Sequence, residues 1–379
     1  MNYFIYEESC TGVIKSQALD TLSHINREFD INCKLYVLLP LKDFKNSAKK
    51  YRQNFQNVCL IPLIFGSRRV RLYVPIMAFL SFFNDDKVWF GRGARAAFLL
   101  ISVRKFFKTQ KIIFDGRGAH AAEVEEYFAK KYNFSNEDIE NEKYYEKIAV
   151  SNADFRIAVS NKLIAYWRAT YMYNKNKHLV IPCTLNSDLL IKMSFSSYNK
   201  NIRQSYGFKE DDIVLVYSGS IAEWQSFKKL DFFLMKLMSK QHNIKVLFLA
   251  KIDLNDLQVF KYYPSRISKD WLDHKSVYSV LTVCDYGLLI RNKTVTNYVA
   301  SPVKFAEYLS AGLKVILDGE VGDYNELLLS KNLGFFTENT YSEKLIRLSK
   351  EEREKVVLFA KKYFSKESYY NSYKQLVEL

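Results

Sequence analysis

SPVKFAEYLSAG, residues 301–312, stands between two apolar runs, Tyr286-Gly287-Leu288-Leu289-Ile290-Arg291 and Lys314-Val315-Ile316-Leu317. That order predicts a strand, a polar loop, a helix and a strand, the repeating unit of a parallel α/β sheet. Ser301 suits an N-cap, Pro302 the first helical position, and Gly312 the residue just past the helix end. The N-terminus of such a helix offers unpaired N–H groups and partial positive charge, a seat for phosphate. Lys304 and Glu307 are three apart and share a face. One helix therefore carries a cation suited to a diphosphate and a carboxylate suited to sugar hydroxyls. Arg291 ends the preceding strand, where ligands collect in sheets of this kind, and a guanidinium grips phosphate with two bonds. Any one of these residues alone reads as an ordinary surface side chain; the string as a whole does not.

The same alternation extends in both directions. In the back half, Ile213–Tyr217 reads as a strand, Ser218-Gly219-Ser220 as a tight loop and Phe227–Ser239 as an amphipathic helix. Small residues in such a loop let backbone N–H groups approach a phosphate or base. Ile244–Ala250 reads as a strand and Ser276–Val283 as a helix. In the front half the strand candidates are Tyr3–Tyr6, Leu35–Leu39, Lys111–Asp115 and Arg156–Ser160, with helices over Ser16–Glu28 and Arg92–Lys108 and an extended piece from Val180 to Cys183. Asn186 and Ser187 have turn character and place a domain boundary nearby. The expectation is two doubly wound α/β domains, residues 1–183 and 184–362, with a closing helix at 363–379 that packs back on the first. Two such domains bind ligands in the cleft they face across. Thr11-Gly12-Val13 is the front counterpart of the 218–220 loop. Asp115, Arg117, His120 and Glu123 follow a front strand and are expected to line that domain's side of the cleft, with Glu123 paired to Arg117.

Bulk numbers narrow the class. With 379 residues, 48% hydrophobic and 16% aromatic, the chain is not disordered. Cys10, Cys33, Cys59, Cys183 and Cys284 are scattered and odd in number, which suits reduced, mostly core thiols and no metal site. Glu7 and Glu8 interrupt the N-terminus and no basic stretch precedes them, so a cytoplasmic protein without a secretory signal is expected. Membrane spans need about 18 apolar residues, and the longest run, Leu72–Phe83, has 12. It suits either a core helix with a charged rim or an interfacial helix.

The net charge is +15, and residues 1–111 hold 18 Lys and Arg against 8 Asp and Glu. Nucleic acid, an anionic membrane surface or a phosphorylated substrate would each account for that surplus. No zinc, helix-turn-helix or RNA-binding sheet motif accompanies it, so nucleic acid is not expected. Arg68, Arg69 and Arg71 before the apolar run, with Arg104, Lys105, Lys108 and Lys111, suit equally an interfacial helix on anionic lipid, at a peripheral place on the inner face of the cell membrane, and a buried helix with a charged rim.

Several strings in order, VYSGSIAEWQ (216–225), DYGLLIR (285–291), SPVKFAEYLSAGLKVI (301–316), TGVIKSQ (11–17), FDGRGAHAAE (114–123), SNADFRIAVSNKL (151–163), IPCTLNSD (181–188) and YFSKESYYNSYKQL (363–376), make the chain resemble family-4 glycosyltransferases of the GT-B fold. The resemblance covers nearly the whole chain. It implies a retaining, metal-independent and cofactor-free hexosyltransferase of bacterial surface-polysaccharide synthesis, of the O-antigen, capsule or exopolysaccharide type. It implies a nucleotide-diphosphate sugar donor in the back domain, held by Ser218, Gly219, Ser220, Arg291, Ser301, Pro302, Lys304 and Glu307, with Gly12 opposite. It implies a sugar acceptor, oligosaccharide or lipid-linked, beside Asp115, Arg117, His120 and Glu123, with Lys304, Arg291 and His120 nearest the chemistry. The chain departs from the family pattern at two places. Ser220 and Gln225 stand where many members carry Arg and Lys, and Val299 stands where many carry the first of two glutamates. The cation burden then moves to Arg291 and Lys304. A non-catalytic scaffold on the same fold is the alternative those departures raise.

Overall fold

The computed structural model describes residues 1–83, 88–104, 110–186, 190 and 199–379. Lys105, Lys108, Ser187 and Asp188, named above, lie outside the described residues. The chain forms two compact units: Met1–Thr184 with Val299–Ser301 and Tyr369–Leu379, and Leu185–Tyr298 with Pro302–Ser368.

The first unit is a seven-stranded sheet. Its strands are β1 (Asn2–Tyr6), β2 (Lys34–Pro40), β3 (Val58–Leu63), β4 (Val88–Arg92), β5 (Lys111–Gly116), β6 (Phe155–Ala158) and β7 (His178–Val180). They run parallel in the order β3-β2-β1-β4-β5-β6-β7. Helices α1 (Asp20–Phe29), α2 (Phe44–Asn54), α3 (Val74–Phe82), α4 (Gly93–Arg104), α5 (Asn136–Asn152) and α6 (Asn161–Tyr171) supply the crossovers. The order reverses between β1 and β4, the switch point that opens a crevice at the strands' carboxyl ends in doubly wound sheets.

The second unit repeats the plan with β8 (Ile213–Ser218), β9 (Ile244–Leu249), β10 (Ile267–Asp270), β11 (Tyr286–Ile290), β12 (Lys314–Asp318) and β13 (Gly334–Phe336), in the order β10-β9-β8-β11-β12-β13. Its switch point lies between β8 and β11. Helices α7 (Phe227–Lys240), α8 (His274–Leu281), α9 (Val303–Ser310) and α10 (Lys350–Phe364) flank it. The central strands β8 and β11 are buried along their whole length. Helices covering both faces of a parallel sheet select such unbroken apolar runs. A last helix, α11 (Tyr370–Val377), returns to the first unit, where Tyr373 and Leu376 join the core with Leu22, Ile25 and Phe90.

Two differences from the sequence expectations have local causes. Arg92 ends strand β4 instead of beginning a helix; the helix starts at Gly93. VWFGR is too short to show a period, and the helical pattern behind it swallows it. Strand β3 carries Pro62, which has no N–H to donate, and it lies at the sheet edge where that loss is tolerated. Cys10, Cys33 and Cys284 are core thiols, whereas Cys59 on β3 is exposed; none of the five is in a disulfide.

Candidate functional site

In the second unit the ends of β8 and β11 and the helix α9 converge. Helix α9 is fixed by its buried face. Phe305 stacks on Tyr324 at 4.2 Å, and Tyr308 accepts the Ser218 N–H at 3.0 Å, tying the helix to the end of β8. Burying a side chain of that size stabilises by roughly 1.5–3 kcal/mol. Gly312 adopts the left-handed conformation (φ +79°) and closes the helix, as its position predicts. The N-cap is Pro302, however, not Ser301, and no side chain caps it. Ser301 belongs to the first unit, where its hydroxyl accepts the Cys183 N–H at 2.9 Å, so its oxygen is committed elsewhere.

Lys304 is the centre of the arrangement. Its Nζ donates to Gln225 Oε1 at 3.0 Å and lies 4.0 Å above the Tyr217 ring. Burial lowers its pKa well below the usual lysine value, the neighbouring Arg291 lowers it further, and Glu307 opposes them. Arg291 is buried just past β11, and its Nη1 donates to the Trp224 carbonyl at 2.9 Å. Burial and the Arg291 charge thus both disfavour the charged form of Lys304. Gly219 has φ +123°, and a Cβ there would stand 2.6 Å from Lys304 Cε. Only glycine leaves the lysine its seat. Ser218 is buried, Ser220 exposed, and the Ser220 carbonyl accepts the Tyr217 hydroxyl. On the same face of α9, Glu307 Oε1 accepts the Tyr278 hydroxyl at 3.2 Å. Behind Arg291, Lys229 donates to the Arg291 carbonyl at 3.2 Å and to Asp318 Oδ1 at 2.8 Å.

Gln225 takes on a new meaning here. In sequence it marks a missing cation; in the structure it is a buried amide whose oxygen positions Lys304. Tyr217 and Tyr278 were not singled out from sequence. They belong to apolar segments, and nothing in their spacing marks a ring under an ammonium or a hydroxyl on a carboxylate.

The first unit holds the other predicted residues. Gly12 is exposed at the start of the helical run leading into α1, where Thr11 Oγ1 accepts the Ile14 N–H at 3.3 Å. Val299, whose carbonyl accepts the Ser160 hydroxyl at 2.7 Å, is also counted in this unit. Asp115 is buried at the end of β5 and its oxygens accept from Tyr3, from Arg92 at 3.5 Å and from Arg117 at 3.3 Å. Arg117 also reaches Gln17 Oε1 at 3.0 Å. The expected Glu123–Arg117 pair does not form: the nearer Asp115 claims the guanidinium, and the Glu123 carboxyl is raised in pKa by burial against the opposing pull of His120.

His120 opens a short helical turn, His120–Glu123, and its Nε2 lies 2.8 Å from Glu142 Oε2 on α5. Arg95 holds the same carboxylate at 2.8 Å. Burial opposes the charge on Glu142, but the His120 bond and then Arg95 outweigh it and hold the carboxyl down at about 2. Burial likewise opposes protonation of His120, and Glu142 outweighs it, raising the imidazole's pKa. The Glu142 contribution to stability is therefore present above its unfolded value, near pH 4.3, and lost as pH falls toward about 2. The His120 contribution is present below its unfolded value and lost as pH rises through the raised folded one. Glu142→Gln should remove on the order of 2–3 kcal/mol at pH 5.5–6 and flatten the acid limb of a urea-midpoint profile. An unchanged profile would show that the pair contributes nothing.

Among the described residues no three His, Cys, Asp or Glu side chains are grouped to hold a metal ion. No family model matches this sequence, and no curated protein aligns with it significantly. Solved structures do resemble it over their full length. HepE (Alr3699) of Anabaena, in complex with UDP and glucose, has 12% identity and a TM-score of 0.65, covering 100% of this chain and 99% of its own. The lipopolysaccharide outer core galactosyltransferase WaaB has 13% identity and a TM-score of 0.70, covering 99% and 98%. The N-terminal domain of a Candida albicans trehalose-6-phosphate phosphatase has 9% identity and a TM-score of 0.71, covering 100% and 96%. With the two parallel sheets, these likenesses give the chain the two-domain α/β GT-B fold. At such identities they speak for the fold and not for an activity.

Proposed function

We propose that this protein is a retaining, metal-independent glycosyltransferase. It moves a hexosyl-type sugar from a nucleotide-diphosphate sugar to an acceptor sugar, oligosaccharide or lipid-linked, in bacterial polysaccharide synthesis. One observation carries the reading: Lys304 and Arg291, two neighbouring cations, are held at the ends of β8 and β11 beside Gly219, where a doubly wound sheet seats its ligand. An anion restores the charged form of Lys304 that burial and Arg291 disfavour, and a diphosphate supplies one. Glu307, oriented by Tyr278, accepts hydrogen bonds from the donor's ribose hydroxyls. The Ser218 and Gly219 N–H groups donate to the Tyr308 hydroxyl and the Leu249 carbonyl, so the 218–220 loop meets the phosphates or base through its exposed end at Ser220.

In the reaction the bond between the sugar's anomeric carbon and the diphosphate oxygen breaks, and a bond from that carbon to the acceptor hydroxyl oxygen forms on the same face. The hydroxyl proton passes to the departing phosphate oxygen. Lys304 and Arg291 stabilise charge that grows on the diphosphate as the sugar leaves. Position and electrostatics carry the rate, and no protein nucleophile is needed. In the first unit His120, fixed by Glu142, meets a sugar hydroxyl with Glu123 beside it. Asp115 and Arg117, bound to one another and to Tyr3, Arg92 and Gln17, hold the loop that carries His120.

Transfer or donor hydrolysis across a panel of nucleotide sugars tests the reading, and at least one donor should turn over. Nucleotide binding without turnover would mark a non-catalytic scaffold, and binding only to RNA or DNA would mark a nucleic-acid protein. Binding should also take up a proton. The bound diphosphate raises the lowered pKa of Lys304, so affinity falls as pH rises through the free-state value. Calorimetry with UDP in buffers of different ionisation enthalpy should show the uptake, and Lys304→Met should abolish it.

A further inference from the structure

Arg291 stands one residue past the end of β11, where the strand's own pairing runs out. Its backbone is nevertheless held from three directions. Its N–H donates to the Asp318 carbonyl at 2.9 Å, carrying the pairing of β11 and β12 one step beyond Ile290 and Asp318. Its carbonyl accepts from Lys229 Nζ at 3.2 Å, and the same ammonium donates to Asp318 Oδ1 at 2.8 Å. Lys229 comes from the first turn of α7, and Asp318 ends β12. Gly319, next in the chain, closes the third side. Its φ is +92°, and a Cβ there would stand 2.6 Å from the Arg291 carbonyl oxygen and 3.4 Å from Arg291 Cβ. Only a residue without a side chain permits that approach.

The sheet does not need this clamp. Strands β11 and β12 are already paired from Tyr286 and Lys314 to Ile290 and Asp318, and a part-exposed ion pair such as Lys229–Asp318 adds little to stability. What the clamp fixes is the direction in which Arg291 sends its guanidinium, whose Nη1 meets the Trp224 carbonyl at 2.9 Å. A side chain that grips a phosphate needs a fixed root, because a misplacement of about 1 Å can cost about a hundredfold in rate. The ion pair also settles a charge. Asp318 brings a carboxylate within one ammonium's reach of the Arg291 carbonyl. Left unpaired, that carboxylate would oppose an anion drawn to Arg291 and Lys304.

We propose that Lys229 and Asp318 are positioning residues for donor binding. Closed against Gly319, their ion pair fixes the Arg291 backbone and so the aim of its guanidinium, and the Lys229 ammonium shields the donor diphosphate from the Asp318 carboxylate. Neither residue touches the donor. The inference rests on the reading that Arg291 meets the donor diphosphate.

Calorimetry of the full chain with UDP, GDP, ADP and dTDP tests it, the tightest binder being carried through the variants. Lys229→Met should raise the Kd about tenfold, since it opens the clamp and leaves the Asp318 carboxylate unpaired. Adding Asp318→Asn should return about threefold of that loss, because the unpaired charge goes while the clamp stays open. With Arg291→Ala in place, the double change should cost less than about twofold further, because no guanidinium is left to aim. A merely structural role would lower the melting temperature and leave the Kd where it was. Lys229 is part exposed, so methionine is expected to fold there; unchanged circular dichroism confirms it, and Lys229→Gln takes its place otherwise. A Lys229→Met protein that binds like the wild type overturns the proposal and leaves the donor reading intact. So does an Asp318→Asn change that returns nothing, or a double change whose full cost persists without Arg291. A wild type that binds none of the four nucleotides, or an Arg291→Ala protein that binds as tightly as the wild type, overturns the donor reading and the proposal with it.

Discussion

Lys304→Ala is expected to lower sugar transfer about tenfold at least, with kcat falling more than KM rises. Lys304 is half-buried and its Nζ is aimed by Gln225 and Tyr217, with the Arg291 charge felt there, so it acts on a diphosphate in a medium where charges are felt more strongly than in water. An interaction that strengthens as the leaving group gains charge appears in kcat, whereas one that only holds the donor appears in KM. Glu307→Ala should show the second signature: a KM for the donor raised about tenfold, with kcat less changed, because ribose hydroxyls do not alter in the reaction. Lys304→Arg should not restore the rate. The seat between Gly219 and Tyr217 fits a compact ammonium, and a planar guanidinium is larger and differently hydrated. Near-normal activity in both alanine variants would remove this site from the mechanism.

Gly219→Ala is expected to cost about as much activity through a different route. The residue's φ of +123° is one that side chains rarely adopt, at a cost of about 1–3 kcal/mol, and the new Cβ would push Lys304 Cε from its place. Two measurements separate these effects. The melting temperature should fall by a few degrees whether or not Lys304 is present, because the strain lies in the backbone. The activity loss should nearly vanish in a Lys304→Ala background, because the two changes disable one group. Additive losses of activity would mean that Gly219 serves the site independently of Lys304.

These two residues also show how far the sequence could be read. Lys304 was legible because a helix of known period placed it three residues from Glu307, just after a strand that ends in Arg291. Gly219 was legible as a small residue after a strand, but its reason was not. That a lysine 85 positions later fills the space over it follows only from the packing of α9 beside β8. Gln225 looked like a loss and is a support for the remaining cation. Ser301 looked like a helix cap and is instead a hydrogen-bond acceptor for Cys183. Glu123 was matched to Arg117 by proximity along the chain, yet the carboxylate two residues before Arg117 holds it.

Local rules determined most of the fold from sequence. Hydrophobic runs, a proline and glycine at helix ends, and alternation of strand and helix are properties of neighbouring residues, and the backbone period converts them directly into elements. Short strands without a period, β3, β4, β10 and β13, escaped because their existence depends on a partner strand from elsewhere. The tertiary structure alone decided which charged groups meet an opposite charge and which face a like one. That distinction is set by distance through space between residues remote in sequence: Asp115 is consumed by Tyr3 and Arg92, while Lys304 and Arg291 are held side by side, each adding to the cost of the other's charge.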